Sequence, residues 1–183
     1  MFKRFFDIVL SATLLVIFSP LIFIFSFLIW NQDKKSPFYI AYRVGKDEKL
    51  FKMVKFRSMI LNADKSGVDS TSENDTRITP LGKLIRRYKI DEIPNFINIF
   101  KGDMSFVGPR PNVKRETDLY TSKEKVLLSV RPGITDFASI IFSDEGDILK
   151  NSKDPDLDYN LYIRPRKNLV ALLYFKDNNL LTD

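Results

Sequence analysis

The chain opens with a long apolar run and continues as a more polar, patterned sequence. No charged residue lies at positions 8–30. A continuous helix of that length would reach roughly 34 Å, against roughly 30 Å of bilayer hydrocarbon. The run therefore predicts a membrane-bound segment rather than a soluble core helix. Ser19 and Pro20 stand in its middle, where proline removes a helical hydrogen bond and the serine hydroxyl can satisfy the freed carbonyl. We expect a kink there.

Three topologies are compatible with this segment: a cleaved signal peptide, a crossing helix, and a helix that enters and returns to the same face. A signal peptide is least favoured, because residues 18–35 contain no A-x-A-like cleavage site and the apolar core is too long. Lys3 and Arg4 precede the run, and Lys34 and Lys35 follow it. Basic flanks favour the cytoplasmic side, so re-entry is slightly ahead of a kinked crossing helix, which stays open.

Beyond the apolar run, short periodic stretches predict an α+β domain that is mainly helical with a small β-hairpin. Apolar residues alternate with others at positions 38–44, turn residues occupy 45–49, and a second strand-like stretch ends near Arg57. Residues 62–79 are rich in Ser, Asp, Thr and Asn, a composition typical of a surface loop.

Capping residues predict where the helices begin and end. Thr79 and Pro80 indicate the N-cap and first residue of a helix running through Lys89. If Asp91 caps the next helix, a proline falls in its first turn, and Gly102 ends it. Further expectations are a short helix at 122–130, a turn at 131–133, and helical material at 156–174 broken at Pro165.

The predicted helix beginning at Asp91 has two distinct faces. Asp91, Asn95 and Asn98 share a polar face, at positions i, i+4 and i+7. The opposite face is apolar and consists of Ile93, Phe96, Ile97 and Phe100. A helix with such faces is expected to bury its apolar side.

The amino-acid composition limits the catalytic groups and binding partners that are open to this chain. The chain has 0 His and 0 Cys, which excludes imidazole bases, thiolate nucleophiles and the usual zinc ligand sets. The balance of 29 Lys+Arg against 23 Asp+Glu gives a net charge of +6 and favours an anionic partner: nucleic acid, acidic lipid or a phosphorylated substrate. Catalysis by this chain must use carboxylates, cations, hydroxyls or an oxygen-bound metal.

The segment IDEIPNFINIFKGDMSFVGPRP at residues 90–111 carries the main candidate chemistry. A carboxylate at a helix start stays ionised, so Asp91 suits a nucleophile or metal ligand, with Glu92 in a separate role. Ordinary helix capping is the alternative. The glycine- and proline-rich loop that follows suits close backbone approach to an oxyanion. Candidate phosphate-neutralising cations are Lys55, Arg57, Arg86, Arg110 and Arg131.

At these residues the chain resembles the bacterial sugar transferase family, the monotopic phosphoglycosyl transferases. The motifs are KFRSM at 55–59, RITPLGKLIRRYK at 77–89, the segment at 90–111, and VRPGIT at 130–135. They follow the family order, and the amino-terminal KRFFD and the apolar run fit the same pattern. The resemblance implies a re-entrant membrane helix kinked at Ser19 and Pro20 within residues 1–35. A cytoplasmic catalytic domain with interfacial helices would then occupy residues 36–183.

The resemblance also implies a reaction. Members of the family transfer a phospho-sugar from a UDP-sugar to a polyprenol phosphate such as undecaprenyl phosphate, releasing UMP and starting glycan assembly at the cytoplasmic face of the bacterial inner membrane. By this likeness Asp91 is the nucleophile that forms a covalent phospho-sugar intermediate, and Glu92 completes a catalytic dyad. Mg²⁺ held by the two acids would shield the diphosphate. Lys55, Arg86 and Arg110 are implied phosphate partners.

Two functions from other classes compete with this one. A catalytically inactive membrane scaffold could bind a nucleotide sugar or partner proteins, and UMP release would distinguish an enzyme from it. A membrane-tethered nucleic-acid binder is suggested by the basic charge alone. Because no nucleic-acid module is recognisable and the positive charge is interleaved with acids, we expect no nucleic-acid partner.

Residues 157–175 form an amphipathic stretch. Tyr159, Tyr162, Leu169, Leu172 and Leu173 would help seat the domain at the membrane interface. Ordinary core packing of these residues is an equally good interpretation.

Overall fold

The computed structural model describes residues 2–63, 75–143, 148–149 and 152–177. The α-helices are α1 Phe2–Ile17, α2 Ser19–Asp33, α3 Pro80–Arg87, α4 Asn95–Lys101, α5 Lys114–Thr117, α6 Phe137–Ile141, α7 Pro155–Asp158 and α8 Arg164–Asp177. The strands are β1 Phe38–Val44, β2 Leu50–Phe56, β3 Ser105–Val107 and β4 Gly133–Thr135. Short 3₁₀ turns occupy Lys46–Glu48, Ile90–Glu92 and Glu124–Ser129, and a π-turn occupies Tyr159–Ile163. The described part is mainly helical with a small hairpin sheet, as the sequence predicts.

The apolar run folds into α1 and α2, which meet at the predicted kink. Pro20 has no N–H to donate to the carbonyl of Val16, and the Ser19 hydroxyl donates to that oxygen instead, at 2.8 Å. Among the described residues, no single helix is both long and apolar enough to cross a bilayer. The two helices meet that test only as a pair, bent by 59°.

Polar contacts attach α1 to the rest of the molecule. The guanidinium of Arg4 donates to the carbonyl oxygens of Ile99 and Phe100 at the end of α4, at 2.6 and 2.8 Å. The buried carboxylate of Asp7 accepts from the Ser105 hydroxyl and the Phe106 amide of β3, at 3.1 and 3.2 Å. Helix α1 therefore binds α4 and β3 through its charged residues.

Strands β1 and β2 form the predicted antiparallel hairpin, with Ala41 opposite Met53 and Phe38 opposite Phe56. Phe56 joins one buried cluster with Phe25 and Ile29 of α2 and with Ile85 of α3. A second cluster contains Phe51, Met53, Ile99 and Met104. The hairpin is thus the shared wall between the amino-terminal helices and the helical body.

Two predicted helix boundaries, the start of α3 and the end of α4, are confirmed, whereas the assignment of Asp91 as a helix cap is wrong. The Thr79 side chain accepts from the Gly82 amide at 2.9 Å, as an N-cap should, although α3 ends at Arg87 rather than Lys89. Gly102 ends α4 in the left-handed region, with φ of 97°. Asp91, however, does not cap α4; it lies in the separate 3₁₀ turn Ile90–Glu92, since α4 begins only after Pro94.

Helix α4 buries its polar face and leaves part of its apolar face exposed, which is the reverse of the usual amphipathic pattern. Asn95 and Asn98 are fully buried, whereas Phe100 is half exposed. Asn98 explains the reversal: its Oδ1 accepts from the Val54 amide, and its Nδ2 donates to the Lys52 carbonyl. The polar face of α4 is therefore bound to the backbone of β2 through Asn98.

The carboxyl-terminal half departs from expectation at two points. Residues 131–133 were predicted as a turn, but Gly133 begins strand β4, which pairs in parallel with β3. The helical material predicted at 156–174 consists of α7, the π-turn Tyr159–Ile163 and α8, so the regular α-helix is interrupted immediately before Arg164 and Pro165, close to the predicted break. The expected short helix at 122–130 is the 3₁₀ turn Glu124–Ser129. Most of the expected loop at 62–79 lies outside the described residues.

Candidate active site

A cavity of about 440 Å³ opens beside the hairpin. Six of the seven residues singled out from the sequence line it: Lys55, Arg57, Arg86, Asp91, Glu92 and Arg110. Arg131 does not line the cavity; its Nε donates to the Gly102 carbonyl at 2.9 Å and so braces the end of α4. The fold thus brings together residues that are up to 55 positions apart in the chain.

The two acids are positioned by a tight connection between α3 and α4. Lys89 adopts a left-handed conformation, with φ of 56°, which reverses the chain after α3. Ile90 packs against the cluster that contains Ile85, and Pro94 leads into α4. Because this connection is anchored by an apolar side chain on one side, its acidic residues, Asp91 and Glu92, project toward the cavity.

Glu92 is held by a lysine from the neighbouring strand. The ammonium Nζ of Lys55 lies 2.7 Å from Glu92 Oε1, and both side chains are largely buried. Burial opposes ionisation of Glu92, but the charges of Lys55 and Arg110 outweigh it, so the pKa of Glu92 lies below its ordinary value. Burial lowers the pKa of Lys55 in turn, partly opposed by the negative charge of Glu92. Glu92 is therefore a fixed anion neutralised within the protein.

Asp91 is in the opposite situation. Burial raises the pKa of this carboxyl, and the adjacent charge of Glu92 raises it further, while Lys55 acts against them. Its Oδ1 is buried and has no hydrogen-bond partner among the described residues. A desolvated carboxylate oxygen without a donor is a better nucleophile or metal ligand than one that accepts several hydrogen bonds. The two neighbouring acids thus have distinct electrostatic roles.

The cavity cations also differ from one another. The charges of Arg86 and Arg110 act on Asp91 and Glu92 respectively. The guanidinium of Arg57 instead forms a bidentate ion pair with Asp33, at 2.5 and 2.7 Å. Sequence reasoning missed Lys89, whose charge acts on both acids and which lines the cavity. Its position two residues before Asp91 was the available signal.

The glycine of the VGPRP loop is explained by backbone packing. A Cβ at Gly108 would lie 2.5 Å from the Arg131 carbonyl oxygen, and one at Gly133 would lie 2.2 Å from the Gly108 nitrogen. Both positions therefore exclude a side chain because β3 and β4 approach each other closely at this point. The sequence suggested close approach to an oxyanion, whereas the approach seen here is to protein backbone. The loop's contribution to the cavity is Arg110.

The acids can be tested for their fit to a divalent cation. The described residues contain no group of three or more metal-ligating side chains. Mg²⁺, however, commonly uses one or two carboxylates and completes its shell with water and substrate oxygens. The buried, unpartnered Oδ1 of Asp91 suits this limited role, while Oε1 of Glu92 is occupied by Lys55. The donor set therefore fits Mg²⁺ held chiefly through Asp91.

Comparison with known proteins adds to this picture. A protein-family model described as bacterial sugar transferase matches residues 1–173 of this chain. A UDP-N-acetylgalactosamine-undecaprenyl-phosphate N-acetylgalactosaminephosphotransferase of Aeromonas hydrophila is 36% identical over 142 residues, covering 76% of this chain and 34% of the relative. The exopolysaccharide production protein ExoY of Rhizobium meliloti strain 1021 is 37% identical over 150 residues, covering 74% and 66%.

A third relative extends the match along the chain. The UDP-glucose:undecaprenyl-phosphate glucose-1-phosphate transferase of Klebsiella pneumoniae is 34% identical over 168 residues, covering 89% of this chain and 36% of its own length. The aligned part of this chain thus spans about a third of the length of two of these relatives and 66% of the other.

Proposed function

Because this chain belongs to the bacterial sugar transferase family, we propose that it transfers a phospho-sugar from a UDP-sugar to a polyprenol phosphate, yielding UMP and a polyprenyl-diphosphate-sugar. Two relatives carry undecaprenyl phosphate and a transferred sugar phosphate in their names, and a third is named for exopolysaccharide production. The observation that carries the proposal is the buried Asp91 carboxylate, with an unpartnered oxygen, in a cavity lined by arginines and lysines.

The proposed reaction has two displacements at one phosphorus atom. An oxygen of Asp91 attacks the sugar-bearing phosphorus, the bond from that phosphorus to the bridging oxygen breaks, and UMP leaves with the bridging oxygen. A phosphate oxygen of the polyprenol phosphate then attacks the same phosphorus and returns the carboxylate. Arg86 and Arg110 offset the charge of the diphosphate. Lys55 keeps Glu92 ionised and fixed beside the nucleophile.

Mg²⁺ belongs to this proposal as a resident cofactor. When bound, it would reduce the repulsion between an anionic nucleophile and an anionic diphosphate. Asp91 would hold it, with Glu92 as the neighbouring acid that the resemblance also implies. The burial of the Asp91 carboxylate raises its affinity for any cation that replaces lost solvation.

Membrane attachment is supported by an inversion of burial in α1. The buried residues of this helix are Asp7 and Ser11, whereas Phe2, Phe5 and Val16 are 82%, 69% and 74% exposed. A helix that turns polar groups inward and large apolar groups outward is suited to a lipid surrounding. In α8, Lys167 and Asn168 are likewise buried while Leu169 and Leu173 are exposed, together with Tyr162 before it. We propose that both surfaces contact the bilayer, the second at its interface.

Re-entry, rather than crossing, is supported by where the helix pair is attached. Arg4, near the start of α1, binds carbonyls of α4, and Asp33, the last residue of α2, binds Arg57 after β2. Both ends therefore contact the same body, which favours a cytoplasmic location for both. Since the chain lacks cysteine, Lys3→Cys and Lys35→Cys, at the basic residues that flank the helix pair, can be probed singly with an impermeant thiol reagent in inside-out and right-side-out vesicles. Labelling of the two on opposite sides would refute re-entry.

The activity is tested by covalent labelling. Incubation of the membrane-embedded chain with a panel of radiolabelled UDP-sugars, without acceptor, should label the protein and release UMP. Asp91→Asn should abolish both, whereas Asp118→Asn, at an exposed acid outside the cavity, should not. Labelling that survives Asp91→Asn would refute the nucleophile. Failure of every UDP-sugar to release UMP, with or without undecaprenyl phosphate, would favour the inactive scaffold.

A further inference from the structure

Arg57 lies between the helix pair and the active site. It follows β2 directly and lines the cavity, but both of its terminal nitrogens donate to the carboxylate of Asp33, at 2.5 and 2.7 Å. Its backbone amide also donates to the Pro37 carbonyl at 2.8 Å. A bidentate pair of this kind, with Arg57 buried and Asp33 exposed, fixes the relative orientation of both partners. Arg57 thus binds the chain segment that leaves α2.

Apolar packing continues the same connection toward the nucleophile. Ile29 in the last turns of α2 is completely buried, and it shares a cluster with Phe56 and Ile85. Ile90, the residue before Asp91, packs against that cluster. Close-packed side chains transmit displacement rather than absorb it. The end of α2, the cavity wall and the turn that carries Asp91 are therefore one mechanically continuous unit.

The end of α2 also carries the side chains expected at a membrane surface. The ammonium of Lys34 lies 4.2 Å from the centre of the Trp30 ring, and its Nζ donates to the Asn31 side chain at 2.5 Å. Tryptophan and lysine are preferred where hydrocarbon meets water. In the proposed membrane seating, Asp33 therefore lies at the level of the bilayer surface, where it pairs with Arg57.

We propose that Arg57 is a positioning residue that, by locking Asp33, fixes the cavity at the height above the bilayer where a lipid-borne acceptor phosphate reaches Asp91. This rests on the proposed function and its membrane seating. The acceptor's phosphate cannot leave the surface because its prenyl tail remains in the hydrocarbon, whereas a UDP-sugar arrives from water. Loss of the ion pair between Arg57 and Asp33 should therefore weaken binding of the acceptor and leave binding of the donor unchanged. The earlier assignment of Arg57 as a phosphate ligand would require it to release Asp33.

The kinetic test uses the full chain in nanodiscs with three variants: Asp33→Asn, Arg57→Gln, and the exchange Asp33→Arg with Arg57→Asp. Affinity for a fluorescent undecaprenyl phosphate should weaken roughly tenfold in each single variant, the effect of one ion-pair coupling. Donor KM and covalent labelling should change by less than about twofold. The exchange should recover most of the acceptor affinity, which would show that the loss comes from the ion pair and not from either side chain alone.

A distance measurement tests the lock independently of any activity. Because the chain has 0 Cys, spin labels can be placed at Asn31→Cys and Lys83→Cys, both exposed positions on α2 and α3. The distance distribution should be narrow in the parent, broad in both single variants and narrow again in the exchange. An unchanged distribution in the single variants would overturn the proposal.

The outcomes separate this proposal from the proposed function. Loss of labelling in Arg57→Gln but not in Asp33→Asn would identify Arg57 as a donor-phosphate ligand and overturn the positioning role. Equal losses for donor and acceptor in both single variants would also overturn it. If the parent chain uses no UDP-sugar, the proposed function fails, while acceptor affinity and label distances still decide whether Arg57 and Asp33 position a lipid phosphate.

Discussion

At the scale of single residues, Asp91 and Glu92 show how one fold gives adjacent acids opposite properties. Glu92 has a lysine at 2.7 Å, and its pKa is lowered because that cation and Arg110 outweigh the effect of burial. Asp91 is buried with no donor on Oδ1 among the described residues, and its pKa is raised mainly by that burial. Such opposed shifts are typical of acids with separate tasks at one site.

The raised pKa of Asp91 predicts a stability cost that depends on pH. A folded-state pKa above the unfolded value means that the folded chain holds the proton more tightly, so stability falls as pH rises from about 4 through the folded pKa. Asp91→Asn should therefore stabilise the protein near neutral pH by roughly 1 kcal/mol. Thermal unfolding in detergent with EDTA would measure the gain.

The pH dependence provides the control for that prediction. The difference between parent and Asp91→Asn should shrink toward about pH 4, where the unfolded aspartate also becomes protonated. Asp118→Asn, which removes an exposed carboxylate paired with Lys114, should not stabilise the protein at neutral pH. A gain that grows as pH falls would contradict the assignment of a buried, poorly solvated carboxylate.

Breaking the pair between Lys55 and Glu92 should be costly in a different way. Lys55→Met leaves Glu92 without its neutralising charge, and since both side chains are 17% exposed, we expect a loss of about 2 kcal/mol, less than for a fully buried pair. Denaturant unfolding would measure it. Adding Glu92→Leu should recover most of the loss, because the carboxylate that Lys55 neutralised is then removed as well. Equal destabilisation in the single and double variants would show that packing, not charge, is responsible.

Six of the charged residues that line the cavity could be predicted from the sequence because they lie in dense motifs of charged residues. What the sequence could not provide was their partners. Arg57 and Asp33 are 24 positions apart, and the pair depends on the packing of α2 against β2. Arg131 looked equally suited to a phosphate, but the close pairing of β3 with β4 directs it to the Gly102 carbonyl. The charged residues could be found in the sequence, but the partner that each of them binds in the fold could not.

At the scale of elements, features encoded by neighbouring residues were predictable. The hairpin follows from alternation and a turn, and the start of α3 follows from Thr79 and Pro80. The parallel pair β3 and β4 has only three residues on each strand and joins distant segments. No local sequence pattern therefore predicted it. The reversed burial of α4 was also hidden, because it arises from hydrogen bonds between Asn98 and β2.

The kink gives a prediction at this scale. Ser19→Ala removes the hydroxyl that satisfies the Val16 carbonyl, which Pro20 leaves without a helical donor. We expect a loss of about 1 kcal/mol in thermal unfolding in nanodiscs. Thr13→Ala is the matched control: its hydroxyl donates to the Val9 carbonyl, but that oxygen also accepts the regular helical N–H. Similar losses in the two variants would contradict the special role of Ser19.

At the scale of the whole molecule, the two sides of α1 have different surroundings. One side makes charged contacts with the rest of the molecule, and the other exposes an apolar surface. Arg4 and Asp7 bind α4 and β3, while the opposite side exposes large apolar residues. In water that surface would cost free energy in proportion to its area. Burying it in lipid removes this cost without disturbing the polar contacts, so attachment to the body and attachment to a bilayer do not compete.

This arrangement predicts that the chain resists extraction by high salt and by alkaline carbonate. Lysines at two exposed positions near the kink, Val16→Lys with Phe23→Lys, should release it, since each lysine placed deep in hydrocarbon costs about 2.5–3.5 kcal/mol. Tyr88→Lys is the control, because Tyr88 is also exposed but lies on the body after α3. Sedimentation of membranes after carbonate treatment measures the bound fraction. A double variant that sediments like the parent would show that this surface does not lie in the bilayer, and the height of the cavity above the lipid would then need another anchor.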